Sequence, residues 1–193
     1  VEPTLSLEIA ERLNDFSLKA CALVEHLRLV KSPAEIAMIR RATHYADMGM
    51  MRILAASHYD TTVLEILSQS RAIQTQVLKD GEFEPLTSLF LTAAWPAPLS
   101  SQPHSIPKID DRLTNGPLAA MSILRVNGYA AEVERTYFHC SPTPKMKEAF
   151  EAMMEARRRA FALVKLGVKC ADIDVAANGY LKEQGYGNYL LHR

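Results

Sequence analysis

The dipeptide Asn127-Gly128 restricts this fold most, because it stands between AMSILRV (Ala120–Val126) and YAAEVERTYF (Tyr129–Phe138). An Asn-Gly pair flanked by two apolar, β-branched and aromatic runs marks a two-residue hairpin turn, whose central positions need positive φ. Two antiparallel strands are therefore expected. Successive strand side chains point to opposite faces, so Glu132 and Glu134 share a face at about 6.6 Å, together with Ala130 and Thr136. Tyr129, Val133 and Arg135 take the other face. In an anonymous strand two such acids would be a solvated edge. Here the apolar flanks favour a lined cavity.

Around the hairpin, helices and strands alternate without repeats or low-complexity tracts. A short amphipathic piece near Leu5–Leu13 and the apolar run Ala22–Val24 come first. Ser32 as N-cap, Pro33 at the first helical position and Glu35 as the third residue of a capping box then open a helix. Ile36, Ile39, Ala46, Met50, Ile53 and Leu54 carry it at helical spacing to about Ser57. Asp60 or Thr61 is expected to cap a second helix through Leu64, Leu67 and Val77, which Gly81 ends. SLFLTA (Ser88–Ala93) reads as a buried strand, followed by the proline-punctuated loop AAWPAPLSSQPHSIP. After the hairpin, Thr143-Pro144 opens a long helix closed near Gly167, and a last helix runs from about Asp172 to Gly185.

With 48% hydrophobic residues in 193, the chain has ample material for a packed core. Lysines plus arginines equal aspartates plus glutamates at 22 each, which removes any general electrostatic case for nucleic acid or an anionic membrane as partner. Cys21, Cys140 and Cys170 are odd in number, widely spaced and in no CxxC pattern, so neither a disulfide framework nor a zinc knuckle is expected. A reducing cytoplasm is the expected setting. The sequence has no apolar stretch of membrane-spanning length and no signal-peptide pattern at its start. It opens on Val rather than Met and stops abruptly at LLHR, so a cut chain is expected.

Met48, Met50, Met51, Met153 and Met154 fall at core-like helical spacing and are read as packing. His26, His44, His58 and His139 stand alone and are read as ordinary histidines. His104 differs, because Pro103 and Pro107 stiffen the loop that presents it. Trp95 is a candidate cation-π wall of a pocket, although a core tryptophan is the commoner outcome. Arg135 is expected to be a structural ion-pair partner.

LRLVKSPAEIAMIRRATHYADMGM, then a loop histidine in SSQPHSIP, then GYAAEVERTYF, a long helix and LLHR, together resemble the catalytic domain of the pita-bread family. That family includes creatinase, ectoine hydrolase, prolidase, aminopeptidase P and methionine aminopeptidase. The resemblance runs from about Leu27 to Arg193 and rests on the combination. Its KSxxEIxxIRxA helix matches Lys31, Ser32, Glu35, Ile36, Ile39, Arg40 and Ala42; its loop histidine matches His104; and its GYxxDxTRT strand matches with Glu132 at the aspartate, Glu134 at the first threonine, and Arg135 and Thr136 retained. It implies an α+β pita-bread fold, a curved antiparallel sheet flanked by helices, with the second half incomplete. Residues 1–26 would be the remnant of an N-terminal domain and linker, and residues 27–193 the first part of the catalytic domain.

Two departures from the metallopeptidases of the family set the functional expectation. Where those carry a metal-binding aspartate eleven residues before the one in GYxxD, this chain has Met121, and a thioether is a poor ligand for manganese, cobalt or zinc. Glu132 is one methylene longer than aspartate. The resemblance then points to the metal-free branch, with no cofactor and a small amidine substrate such as ectoine held by the paired carboxylates. His104, Glu132, Glu134 and His192 are the expected catalytic residues, and Trp95 and Tyr129 the expected substrate-binding ones. A Xaa-Pro dipeptidase or aminopeptidase with a divalent metal such as manganese or cobalt is the alternative, and a catalytically dead binding module the third reading. The resemblance implies a homodimer.

Overall fold

The computed structural model describes residues 11–13, 21–81, 83–84 and 87–190. The expected amphipathic piece near Leu5–Leu13 and the expected catalytic His192 therefore lie, apart from residues 11–13, outside the described residues. Helix α1 (Leu23–Leu29) buries nothing and takes in the apolar run. Helix α2 (Pro33–Ala56) begins as its capping box dictates: the Ser32 hydroxyl accepts from Glu35 N at 3.3 Å while Ser32 N donates to Glu35 Oε2 at 2.7 Å. Its buried residues, Ala42, Tyr45, Ala46, Gly49, Met50 and Ile53, recur every three or four positions and so form one stripe.

Strand β1 (Thr61–Thr62) precedes helix α3 (Val63–Asp80). The cap of α3 is Thr62, not Asp60 or Thr61. The Thr61 hydroxyl is engaged with His58 N and Ala56 O, whereas Thr62 has Glu65 three residues on and closes a second reciprocal capping box. Gly81, at φ 69°, ends α3 in the left-handed conformation expected of it.

Strands β2 (Leu89–Trp95), β4 (Leu118–Val126) and β5 (Tyr129–Tyr137) form an antiparallel sheet in the order β2-β4-β5, and β3 (Arg112–Leu113) pairs with β1. The hairpin turns as predicted, with Asn127 at φ 48° and Gly128 at φ 84°. Strand β2 extends two residues past the expected Ala93, since the register carries Ala94 opposite Ala120 and Trp95 opposite Ala119. On β4, Leu118, Ala120, Ser122, Leu124 and Val126 are all buried, and α2 and α3 cover that face. The fit against α2 is tight. A Cβ at Gly49 would stand 2.1 Å from Ser122 Oγ, so only glycine lets the helix approach the strand.

Helix α4 (Pro144–Leu163) is capped by Thr143, whose hydroxyl accepts from Met146 N at 3.3 Å. It stops before the expected Gly167, with Val164 N already bonded in a tighter turn to Phe161 O. The last helical stretch starts earlier than expected, at Cys170. It runs as α5 (Cys170–Asp174), a π-helical turn (Val175–Gly179) and α6 (Tyr180–Glu183), and Gly185 at φ 85° ends it. Among the described residues, no helix is long and apolar enough to cross a membrane.

Candidate active site

The sheet face turned away from α2 and α3 carries the acids. Register places Met121 between Ala93 of β2 and Glu134 of β5, and Ile123 between Leu91 and Glu132, so both glutamates and Met121 project to the same side. The loop after β2 arches over that face. Together they enclose a cavity of about 410 Å³ whose walls include Trp95, Pro103, His104, Met121, Glu132 and Glu134. Its volume falls in the roughly 300–1,000 Å³ range of small-molecule sites. Four of the expected site residues, His104, Glu132, Glu134 and Trp95, are thus brought together.

The loop is held by a set of short bonds. His104 has a left-handed backbone, φ 58°. Trp95 Nε1 donates to the Ser105 carbonyl oxygen at 2.7 Å, the Ser105 hydroxyl donates to Leu99 O at 3.0 Å, and the Ser100 hydroxyl donates to Pro117 O at 2.6 Å. Arg135, expected in an ion pair, donates from its guanidinium to the backbone oxygen of Glu134 at 2.6 Å.

Tyr129 does not join the cavity. It lies at the hairpin end of β5, where its hydroxyl donates to Glu35 Oε1 at 3.0 Å and ties the turn to the start of α2. That bond raises the tyrosine above its ordinary range, while the Ser32 backbone and side-chain bonds, followed by Tyr129, hold Glu35 below the usual carboxylate range. The structure thus sets Tyr129 apart from Glu132 and Glu134, on the opposite face of the strand and outside the cavity that those two line.

Two features were not visible in the sequence. Ser57 Oγ lies 2.7 Å from Tyr137 OH and 3.0 Å from His139 Nε2, a polar knot beneath the sheet in which burial raises Tyr137 and lowers His139. His139 looked solitary because Ser57 is 82 residues away. The second is a cleft of about 490 Å³ between β5 and α4, lined by Phe138, Phe150, Met153 and Met154 and bordered by Glu134. Three of those residues sit on α4, where Phe150, Met153 and Met154 are exposed rather than packed, contrary to the core reading of the methionines.

Among the described residues, no group of three or more His, Cys, Asp or Glu could by itself hold a metal ion. Glu132 and Glu134 nonetheless offer two hard carboxylates to one cavity, which suits a divalent ion as part of a donor set. Further donors would have to come from outside the described residues.

Residues 37–193 match the model of the family described as metallopeptidase family M24. The chain is 26% identical to a Xaa-Pro dipeptidase of Pyrococcus furiosus over 198 residues, covering 100% of this chain and 55% of that protein. It is 27% identical to a Xaa-Pro dipeptidase of Lactobacillus delbrueckii subsp. lactis, covering 93% of this chain and 48% of the other. The fold is similar to that of the prolidase from Pyrococcus furiosus, with a TM-score of 0.76, 25% identity, and coverage of 99% of this chain and 56% of that one. The chain thus spans about half the length of the relatives it matches.

These findings bear out the pita-bread fold and overturn the expectation of a metal-free, ectoine-hydrolase-like enzyme without cofactor. That expectation weighed one soft residue, Met121, and one longer carboxylate, Glu132, above everything else. The geometry shows why it was too strong: Met121 occupies one position on a face that still presents two carboxylates and an imidazole to a shared cavity. With its model spanning residues 37–193 and dipeptidases of that kind aligning along the whole chain, this chain belongs to metallopeptidase family M24.

Proposed function

We propose that the whole protein is a metal-dependent Xaa-Pro dipeptidase, hydrolysing the C–N bond of small peptides, and that this chain contributes one wall of its active site. The observation that carries the reading is the convergence of His104, Glu132 and Glu134 on one cavity in a chain of this family. Glu132 and Glu134 would hold a divalent ion such as manganese or cobalt together with donors from outside the described residues. Bound there, such an ion would polarise the scissile carbonyl and acidify water.

The nitrogen of an Xaa-Pro bond is a tertiary amide without a hydrogen, so it has to gain a proton to leave as the secondary amine of proline. His104, presented over the acids by a stiffened loop, is the group suited to hold and deliver that proton. Trp95 and Met121 give the cavity apolar walls against which a pyrrolidine ring can pack. We propose a homodimer as the assembly. Leu23, Val24, Leu27, Leu29 and Val30 of and beside α1 are each more than 60% exposed, a run of apolar surface that an assembly would cover. The direct test is to assay the whole protein on a series of Xaa-Pro and Xaa-Ala dipeptides. Preferential cleavage of the proline series is expected, and absence of cleavage in metal-supplemented buffer would remove the proposal.

A further inference from the structure

We propose that Trp95 is a positioning residue: its indole N–H holds the carbonyl of Ser105, the residue after His104, and so fixes the imidazole over Glu132 and Glu134. The inference rests on the proposed function only in taking His104 as the group that acts on substrate. Loop residues 96–107 carry His104 over the acid-bearing face of the sheet, and His104 adopts a left-handed φ of 58°, a conformation uncommon outside glycine. Most of the bonds on this loop are internal or near its base. Ser105 N donates to Gln102 O at 3.2 Å, the Ser105 hydroxyl reaches Leu99 O, and the Ser100 hydroxyl reaches Pro117 O.

The Trp95 bond differs from these in origin. It starts on the last residue of β2, inside the paired sheet, and reaches the carbonyl of the residue next to His104, ten positions along the chain, at 2.7 Å. Trp95 faces Ala119 across the ladder, and that small neighbour leaves room for the indole to lie across the cavity wall. An indole is rigid and donates through one nitrogen only, so the bond transmits the position of the sheet to the loop. Trp95 also lines the cavity, while its N–H is turned to Ser105.

The test uses two variants of the whole protein. Trp95→Phe keeps an aromatic wall and loses the donor. Replacement of Trp95 by β-(3-benzothienyl)alanine keeps the outline of the indole with sulfur in place of N–H. In both, hydrogen exchange at the amides of Gln102, His104 and Ser105 is expected to rise about tenfold while the β4 amides of Ser122–Leu124 stay protected. In both, kcat on a Xaa-Pro dipeptide is expected to fall about ten- to a hundredfold with KM within about threefold of the parent value. Unchanged loop exchange in both variants would overturn the proposal, as would exchange raised by Phe alone, which would assign the effect to ring bulk. A raised KM with kcat retained would make Trp95 a substrate wall instead. If the unsubstituted protein cleaves no Xaa-Pro dipeptide, the proposed function fails, while increased loop exchange in both variants still supports the strut.

Discussion

The two faces of the three-stranded sheet are made from alternate residues of the same strands, yet they have opposite characters. On one, Leu118, Ser122 and Leu124 are fully excluded from solvent beneath α2 and α3. On the other, Met121 is partly buried and Glu132 and Glu134 stand exposed in this chain, under a loop rather than a helix. A one-residue step along β4 thus separates packing from chemistry. The difference teaches that the helices fix the strands from behind, so the front can carry like charges that cost the core nothing.

The largest effect that would break this division is on the front. His104→Ala in the whole protein should lower kcat on Xaa-Pro dipeptides about 10²- to 10⁴-fold while leaving the thermal midpoint unchanged, and a matched loss of stability in calorimetry would show that the front face is structural after all. The mirror experiment is Leu124→Ala on the back. A fully buried leucine should cost about 2–5 kcal/mol in denaturant unfolding with little change in kcat of the protein that remains folded.

A smaller effect sharpens the boundary between α2 and β4. Gly49→Ala places a methyl 2.1 Å from Ser122 Oγ and should destabilise by about 1–3 kcal/mol, whereas a neutral result would mean that the helix can shift outward. His139 tests the back face by pH. Burial depresses its folded-state value, so the neutral ring is the form that packs. Its contribution is fully present above the unfolded value of about 6.5 and is lost as pH falls below it toward the depressed folded value. Unfolding midpoints should therefore drop more steeply between about pH 7 and pH 5 than in His139→Gln, and parallel profiles would remove the histidine from the account. Smallest is Ser122→Ala. The Ser122 hydroxyl is buried and without a hydrogen-bond partner, so its removal should be neutral or stabilise by up to about 1 kcal/mol.

What the sequence revealed follows the range of the forces involved. Asn127-Gly128, the Ser32–Glu35 box and Gly81 act within four residues, and each marks an element that forms where it was expected. The cavity shared by His104, Glu132 and Glu134 was expected from the resemblance to the pita-bread family, since a stiffened loop and a strand face, read locally, do not say that they meet. Contacts across long stretches were not. Nothing near Tyr129 indicates that its hydroxyl meets Glu35, 94 residues away, and nothing near His139 indicates Ser57. The functional misreading has the same root. Met121 was weighed as a single missing ligand, although a metal shell is a property of side chains gathered from distant segments, and one local substitution does not describe it.

The acid-bearing face is proposed to serve a metal-dependent peptidase. That role is tested most directly by preparing the whole protein, removing divalent ions with a chelator, and measuring Xaa-Pro dipeptide hydrolysis before and after adding back manganese or cobalt. The account predicts that chelation abolishes hydrolysis and that one of the two ions restores it, with Glu132→Gln and Glu134→Gln each weakening the restoration. Hydrolysis that persists after exhaustive chelation, or that returns fully in both glutamine variants, would contradict it.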